Sequence, residues 1–362
     1  MAGYLRNAWY VGAWSDEVGR APLGRKLLGQ PVVFYRKQDG TLVAMKDRCP
    51  HRFVPLSLGE VDGDEIKCGY HGLTFDSRGN CTSERADCAK DAQFAITTYP
   101  VVDMYKAVWI WMGDPALADP SLIPDFSFFD DPGRVVISRG LTHVKSNYQL
   151  EADNLLDLTH VDTIHRNTIA NVPMTRIGEY KVSQVGNTVH SNWTIHKSPP
   201  PAQYVGWIAA SKDPVWDGRR DGDMELWIDV RWDPGSNLIV NAGIGPAGMD
   251  REGKIEVLQG HFITPETETT THYFWSNTLP DLGISQEDMD MFHQIARRAF
   301  EDEDRPMIEA QQEAMGDIDF WAHRPMILKE DAGAIRARRI LDKLLREEAQ
   351  AGHAPQELAA AE

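Results

Sequence analysis

The most informative stretches in the N-terminal part of this chain are Cys49-Pro50-His51 and Cys68-Gly69-Tyr70-His71. Each stretch supplies one thiolate and one imidazole, ligands that suit iron–sulfur clusters, zinc and copper. Strand-like segments at residues 41–45 and 73–76 flank them. The sequence therefore predicts two hairpin tips that share one metal centre.

A [2Fe–2S] cluster of the Rieske type fits this ligand order, because two histidines replace two cysteines on one of its irons. The replacement raises the reduction potential of the cluster, which suits single-electron transfer. A structural zinc site also uses two Cys and two His, but it usually pairs like ligands with each other. The mixed pairs favour the cluster and leave zinc as the alternative. Cys81 and Cys88 lie outside the pattern and are expected to be free thiols.

His160 and His165 form a second candidate metal site. A step of five residues turns a regular α-helix by about 140°. The two rings can therefore meet on one metal only if the helix predicted from Tyr148 ends or loosens at residues 161–164. Two histidines and one carboxylate form the facial triad of non-haem iron(II) oxygenases, which leaves positions open for O₂ and substrate.

The carboxylate of such a triad has several candidates. Asp153 and Asp157 lie in the apolar helix that leads to the histidines, where acids are costly unless they are paired, hydrogen-bonded or bound to metal. A distant acid is equally possible, and residues 301–304 are four consecutive acids within an apparent helix over residues 285–315. A solvated acidic patch explains most of these four, and periodicity alone does not choose among them.

With both motifs in this order, the chain resembles the oxygenase components of Rieske non-haem iron monooxygenases, in particular the vanillate and dicamba O-demethylase branch. The likeness covers nearly the whole chain, including residues 7–11, 22–25, 113–115 and 262–268. It implies an N-terminal all-β Rieske [2Fe–2S] domain. An α+β catalytic domain with a mixed or antiparallel sheet and a mononuclear Fe(II) site would follow.

The resemblance also assigns ligands position by position. It implies that the inner iron of the cluster is bound by Cys49 and Cys68, the outer iron by His51 and His71, and the mononuclear iron by His160 and His165. The third mononuclear ligand of the family lies in a Glu-Asp pair five residues before a Glu. Glu303-Asp304 followed by Glu309 matches that pattern, so Asp304 is preferred to Asp302.

Further roles follow from the same resemblance. Asp157 would connect His160 to a cluster histidine of a neighbouring subunit, and Asn154 would lie near the iron without binding it strongly. The substrate pocket would include His261, Asn241 and Ile295, although a hydrogen-bonded strand histidine explains His261 equally well. The segment 239–242 and Ile295 match the known relatives poorly, which leaves the substrate open.

The implied activity is oxidative O-demethylation of a methoxy-aromatic compound by a terminal oxygenase. The enzyme would use O₂, with electrons from a separate NAD(P)H-dependent reductase or ferredoxin, and would work as a head-to-tail homotrimer. N-dealkylation of an anilide or amine, or ring hydroxylation, is the alternative for the same metals. A Rieske electron carrier and a zinc-stapled binding protein are the competing classes, but the carrier leaves His160 and His165 unexplained.

The 362 residues predict two domains, with a proline-rich boundary that gives 1–125 and 126–352, and a disordered tail at 353–362. A net charge of −17 argues against nucleic acid as a partner. No apolar run reaches the roughly 18 residues of a membrane span, and no signal segment is evident, so a cytoplasmic enzyme is expected. Catalytic-domain strands are predicted at 180–185, 188–195, 225–231, 237–244, 256–264 and 270–275, helices at 285–315 and 332–349, and long loops at 199–201 and 214–223.

Overall fold

The computed structural model describes residues 3–83, 94–166, 168–169 and 173–352. The chain divides into two compact units, one built mainly from residues 3–123 and the other mainly from residues 124–343. The second unit omits the segment 264–267, which belongs to the first. Cys88 and the predicted tail at 353–362 lie outside the described residues.

The strands and helices have the following bounds. The strands are β1 (Trp9–Trp14), β2 (Leu23–Leu27), β3 (Gln30–Arg36), β4 (Leu42–Lys46), β5 (Glu60–Asp62), β6 (Glu65–Lys67), β7 (Thr74–Phe75), β8 (Val101–Met104), β9 (Ala107–Trp111), β10 (Arg134–Val144), β11 (Glu179–Val185), β12 (Thr188–Ser198), β13 (Met224–Asp233), β14 (Asn237–Pro246), β15 (Ile255–Thr267) and β16 (Thr270–Pro280). The helices are α1 (Tyr148–Leu156), α2 (Met174–Ile177), α3 (Ala202–Ala210), α4 (Gln286–Arg297), α5 (Arg305–Met315) and α6 (Ala332–Gln350).

The N-terminal unit is built from small antiparallel sheets, which confirms the predicted all-β domain. Within its described residues the strand orders are β1-β9-β8, β2-β3-β4 and β5-β6-β7. Strand β3 lies between two partners, and its segment 32–35 is fully buried. Val33 and Tyr35 pack in one hydrophobic cluster with Cys49 and Cys68, so the two cysteines are anchored in the core of this unit.

The C-terminal unit is an α+β structure around one seven-stranded sheet of order β10-β16-β15-β14-β13-β12-β11. The pairings of β10 with β16 and of β11 through β15 are antiparallel. The six strands predicted from sequence are all present, and each extends beyond its predicted bounds by one to five residues. The sheet is therefore antiparallel, one of the two arrangements that were expected.

One long helical stretch packs against this sheet. It runs through α4, a π-helical segment at Arg298–Asp304 and α5, which matches the predicted helix over 285–315. The Trp275 ring stacks on His293 at 5.8 Å between ring centroids and meets Phe300 edge-on at 5.2 Å. A side chain at Gly140, directly across the ladder, would collide with that ring. Glycine at position 140 leaves room for the Trp275 ring, which packs the π-helical segment against the sheet.

Residues 199–201 have no regular secondary structure, as predicted, but a helix follows them directly, and the loop predicted at 214–223 begins with a 3₁₀ turn at Pro214–Trp216. Pro201 is the residue before α3, a nine-residue helix. Proline is tolerated at a helix start because the first N–H groups have no partner within the helix. The three consecutive prolines therefore mark a helix start, and Tyr204 and Ile208 bury one face of the helix. In the described ranges, no helix is both long and apolar enough to span a membrane.

Candidate metal centres and substrate cavity

The first centre lies on two matching loops of the N-terminal unit, between β4 and β5 and between β6 and β7. In each loop the cysteine N–H donates to the carbonyl five residues ahead, and the cysteine carbonyl accepts an N–H from four residues ahead. A side chain at Gly59 would collide with the carbonyl of Lys67, and one at Gly69 with the carbonyl of Leu58. The loops therefore approach each other backbone to backbone, as two halves of one ligand cage.

The four predicted cluster ligands differ in solvent exposure. Cys49 and Cys68 are each 2 % exposed, whereas His51 and His71 are exposed, with ring centroids 4.6 Å apart. Burial raises the pKa of the Cys49 thiol, and the neighbouring Cys68 raises it further. Buried thiolates are stable only when a cation holds them. Two buried sulfurs and two outer imidazoles fit a cluster with cysteine on its inner iron and histidine on its outer iron.

The other two cysteines differ from expectation in part. Cys81 is buried and takes part in a disulfide, so the prediction that it is a free thiol is wrong. Cys88 lies outside the described residues.

The second centre gathers His160, His165 and Asp304 in the C-terminal unit. One ligand atom from each lies within 4.8 Å of the other two. The Asp304 oxygens are 3.7 Å from His160 Nε2 and 3.1 Å from His165 Nε2. Helix α1 ends at Leu156, earlier than the break predicted at 161–164, and a 3₁₀ turn at Leu158–Asp162 carries His160, so the two rings do not share one regular helix.

Both rings are oriented by acceptors on their other nitrogen. Nδ1–H of His160 donates to the Asp157 carbonyl at 2.6 Å, and Nδ1–H of His165 donates to Glu303 Oε2 at 2.8 Å. Each Nε2 therefore presents a lone pair toward Asp304. Burial lowers the pKa of His160, which favours the neutral ring that a metal needs. Two imidazole nitrogens and one carboxylate match the donor set of a non-haem iron(II) site.

The structure separates the candidate acids clearly. Asp304 is 5 % exposed and faces the histidines, whereas Asp302 is exposed. Asp153 lies away from the site, in an ion pair with Arg338 at 2.6 Å. Asn154 contacts the site directly, since its amide donates to Asp304 Oδ1 at 3.2 Å.

Asp157 contacts His160 differently from the expectation. The backbone carbonyl of Asp157, and not its carboxylate, accepts the His160 N–H. Oδ1 of the carboxylate accepts hydrogen bonds from the N–H and hydroxyl of Thr159 at 2.9 and 2.7 Å. The side chain therefore caps the 3₁₀ turn that carries His160.

Glu303 is the residue that the sequence reasoning missed. It was counted among solvated acids, yet Oε2 also accepts the Thr168 hydroxyl at 2.6 Å and Oε1 pairs with Arg298 at 3.4 Å. A carboxylate that holds the second N–H of a ligand histidine is a recurrent feature of metal sites. Its position next to Asp304 in the Glu-Asp pair was the available signal.

Glu303→Ala is expected to weaken iron binding about 10- to 100-fold, because His165 loses the acceptor that orients its ring. Iron titration of the metal-free mononuclear site measures this affinity, with the visible absorption of the cluster as a check on folding. Glu303→Gln is the matched control, since its amide oxygen can still accept from His165. Equal affinity of the alanine variant and the unchanged protein would contradict this role.

Glu151 in α1 is buried without a hydrogen-bond partner for Oε1 among the described residues. Burial, with Asp304 and Glu309 nearby, raises its pKa from 4.5 to about 8. The folded chain keeps this proton while the unfolded chain releases it, so the group lowers stability by roughly 1.4 kcal/mol per pH unit between these values.

Glu151→Gln is therefore expected to stabilise the metal-free protein at pH 8 and to change little at pH 5. Urea unfolding at both pH values measures the difference. Glu313→Gln, at an exposed position of α5, is the control. A variant that gains the same stability at pH 5 as at pH 8 would contradict the assignment.

A cavity of about 180 Å³ opens beside the second centre. Its lining includes His160, His165 and Asp304, together with His261 and Ile295. Most of the other lining residues are apolar: Leu155, Leu158, Val161, Ile169, Met174, Leu226, Ile228, Val240, Ala242, Val257, Ala296, Ala299 and Phe300. Tyr204 and Trp207 of α3 also line the cavity, from a helix that directly follows the loop predicted at 199–201 and that the sequence analysis did not predict.

Asn241 does not line this cavity, so its prediction as a pocket residue is wrong. Val240 and Ala242 face the cavity, and side chains alternate along a strand, so Asn241 points to the opposite face of the sheet. There its amide donates to Glu256 at 2.8 Å, and its oxygen accepts the indole N–H of Trp227 at 3.3 Å.

Comparisons with known proteins agree with both centres. Residues 8–100 match the Rieske [2Fe-2S] domain, and residues 144–347 match the vanillate O-demethylase oxygenase C-terminal domain. The chain is 34 % identical to the oxygenase component of chloroacetanilide N-alkylformylase from Rhizorhabdus wittichii strain DC-6, covering 95 % of this chain and 97 % of that protein. It is 34 % identical to the oxygenase component of dicamba O-demethylase from Stenotrophomonas maltophilia, covering 94 % and 98 %.

The fold is also that of a solved relative. The crystal structure of dicamba monooxygenase bound to dicamba matches with a TM-score of 0.84 at 34 % identity, covering 96 % of this chain and 100 % of that one. The same enzyme has been solved with non-heme iron and dicamba.

The chain belongs to the Rieske oxygenases that carry a vanillate O-demethylase type C-terminal domain. It is the oxygenase component of a Rieske system, an oxidoreductase whose cofactors are a [2Fe–2S] cluster and a mononuclear non-haem iron. An oxygenase component receives its electrons from a separate reductase or ferredoxin.

Proposed function

We propose that this protein catalyses the oxidative O-demethylation of a methoxy-aromatic compound. The observation that carries the proposal is the convergence of His160, His165 and Asp304 on the wall of an apolar cavity. A cavity walled by apolar side chains suits an aromatic ring, and it excludes water from the reacting methyl group. The 34 % identity to a dicamba O-demethylase component supports this reaction.

In this proposal His160 and His165 hold the iron through Nε2, and Asp304 holds it through its carboxylate. Cys49, Cys68, His51 and His71 hold the cluster. When bound, the iron would supply the activation of O₂. Glu303 and the Asp157 carbonyl fix the two rings, so that the ligand set needs little rearrangement when the metal enters.

The overall reaction needs two electrons, which the separate reductase or ferredoxin delivers one at a time through the cluster. One atom of O₂ is inserted into a C–H bond of the methoxy group, and the other leaves as water with two electrons and two protons. The resulting hemiacetal breaks the bond between the oxidised carbon and the aryl oxygen, and the hydroxyl proton passes to that oxygen, which gives a phenol and formaldehyde. The cavity holds the ring with its methoxy group toward Asp304 and the histidines.

The proposed assembly is a head-to-tail homotrimer, in which electrons reach each iron from the cluster of a neighbouring subunit. A heterologous interface that closes on itself gives a cyclic oligomer. In support, Asp157 holds His160 through its backbone, while Oδ2 of its carboxylate has no hydrogen-bond partner among the described residues. That oxygen can accept the ring N–H of His71 of the partner subunit.

N-dealkylation of an anilide or amine is the second candidate, because the chain is equally similar to a chloroacetanilide N-alkylformylase component. Attack on a carbon next to nitrogen also yields an aldehyde, so the two reactions place the same demands on the metal site.

The test is a single turnover of the chemically reduced protein with O₂ and a mixture of methoxy-aromatics and N-alkyl anilides. Formaldehyde release with loss of a methoxy-aromatic is expected. Aldehyde release with loss of an anilide would favour N-dealkylation, and a hydroxylated ring without aldehyde would contradict both.

A further inference from the structure

Three of the neutral polar side chains that line the apolar cavity lie on two neighbouring strands of the sheet. They are Gln259 and His261 of β15 and Asn277 of β16. The described residues that line the cavity include neither Lys nor Arg. An anion that entered would lose its hydration without gaining a cationic side chain, which costs more free energy than the entry of an uncharged polar group.

Gln259 and His261 belong to one hydrogen-bonded series with Tyr273. His261 Nε2 lies 3.0 Å from Gln259 Oε1, and His261 Nδ1 lies 2.7 Å from the Tyr273 hydroxyl. An amide oxygen only accepts, so His261 carries its hydrogen on Nε2 and donates to Gln259. The Tyr273 hydroxyl then donates to Nδ1. If His261 Nδ1 donated to Tyr273 instead, the hydrogen of the Tyr273 hydroxyl would have no acceptor among the described residues.

The series is buried at its inner end and open at its outer end. His261 is 1 % exposed and Tyr273 is 3 % exposed, whereas Gln259 is half-buried at the cavity wall. Burial lowers the pKa of His261 to about 3 and raises that of Tyr273, so both groups stay uncharged at neutral pH. Both ring nitrogens of His261 are occupied within the protein. Its role toward a ligand is therefore to position Gln259.

This arrangement fixes the amide of Gln259 as a hydrogen-bond donor at the cavity wall. With Oε1 engaged by His261, the amide N–H groups of Gln259 are left for a ligand. We propose that Gln259 donates a hydrogen bond to an oxygen of the substrate, and that the substrate is an uncharged aromatic compound bearing such an acceptor, for example an amide carbonyl. The reaction that follows binding rests on the proposed function, whereas the preference for an uncharged substrate does not.

Binding of three matched probes to the metal-loaded protein tests the preference. The probes are 4-methoxybenzamide, 4-methoxybenzoate and 4-methoxytoluene, which carry a neutral acceptor, an anion and a methyl group at the same ring position. The amide is expected to bind at least about tenfold more tightly than the carboxylate. Isothermal titration calorimetry under anaerobic conditions gives the three dissociation constants.

Gln259→Met removes the donor at nearly constant volume. It is expected to weaken binding of the amide about tenfold and to leave binding of 4-methoxytoluene unchanged. Gln184→Met makes the same change at an exposed position of β11 and should change none of the constants. Tyr273→Phe removes the hydroxyl that donates to His261 Nδ1, so the hydrogen of His261 is no longer held on Nε2 and Gln259 loses its fixed orientation. The variant is therefore expected to lower the preference for the amide over 4-methoxytoluene. A purely structural role of Tyr273 would not alter this ratio.

Three outcomes would overturn the inference. They are equal or tighter binding of the carboxylate, equal weakening of all probes by Gln259→Met, and failure of all three probes to bind. Formaldehyde release from the amide, assayed in parallel, separates this inference from the proposed function. The predicted binding pattern without formaldehyde would contradict the demethylation and leave the role of Gln259 supported.

Discussion

Asp304→Asn is expected to remove the mononuclear iron and all turnover while the cluster stays in place. The substitution keeps the size of the side chain but removes the negative charge that faces His160 and His165. Loss of a direct ligand should cost more than the roughly 10- to 100-fold that loss of an outer hydrogen-bond partner costs. Iron analysis should fall from three irons per chain to two, with the visible spectrum of the cluster unchanged.

Asp302→Asn is the matched control for that experiment. It lies two residues away in the same π-helical segment, is exposed, and makes the same chemical change. Full iron content and turnover are expected for it. Retention of three irons and normal turnover by Asp304→Asn would show that another acid completes the site.

Asp157→Asn is expected to leave both metal centres filled and to abolish most turnover. Its amide oxygen can still accept from Thr159, and its backbone carbonyl still holds His160, so the 3₁₀ turn should persist. What is lost is the charged carboxylate that is proposed to connect the iron site to the cluster of a neighbouring subunit. The measurement is the rate at which the reduced cluster is reoxidised by O₂ in the presence of substrate.

Mixed assemblies give a sharper form of this prediction. A His71→Ala subunit lacks a complete cluster cage, and an Asp157→Asn subunit lacks the proposed connection, so each alone should be inactive. Coexpressed, the two should recover part of the turnover, because an intact cluster in one subunit then faces an intact Asp157 in another. Normal turnover by Asp157→Asn alone, or no recovery in the mixture, would contradict transfer between subunits.

The two local motifs were readable from sequence because their ligands lie close together in the chain. Cysteine–histidine pairs on turns, and histidines at a spacing that ends a helix, constrain structure within a few residues. Asp304 was different, because it reaches the histidines from about 140 residues away along the chain. Residue periodicity did not distinguish it from Asp302, and the π-helical segment changes the faces that a regular helix would present. Only the family resemblance singled it out.

The cavity was the least predictable part, because its residues depend on register and on how distant segments pack. A shift of one residue on β14 exchanges Asn241 for Ala242, since side chains alternate between faces. The sequence analysis did not predict that α3 lines the cavity, because the consecutive prolines before it indicate a loop. Gln259 has no motif at all, and its importance follows only from the partners of His261.

The most direct measurement of the central claim is a single turnover of a methoxy-aromatic substrate under ¹⁸O₂, followed by mass analysis of the phenol. Oxidation at the methyl carbon leaves the original oxygen on the ring, so the phenol should carry no ¹⁸O while formaldehyde is released. Label in the phenolic oxygen or elsewhere on the ring would show that oxygen attacks the ring, and would contradict oxidative O-demethylation by this site.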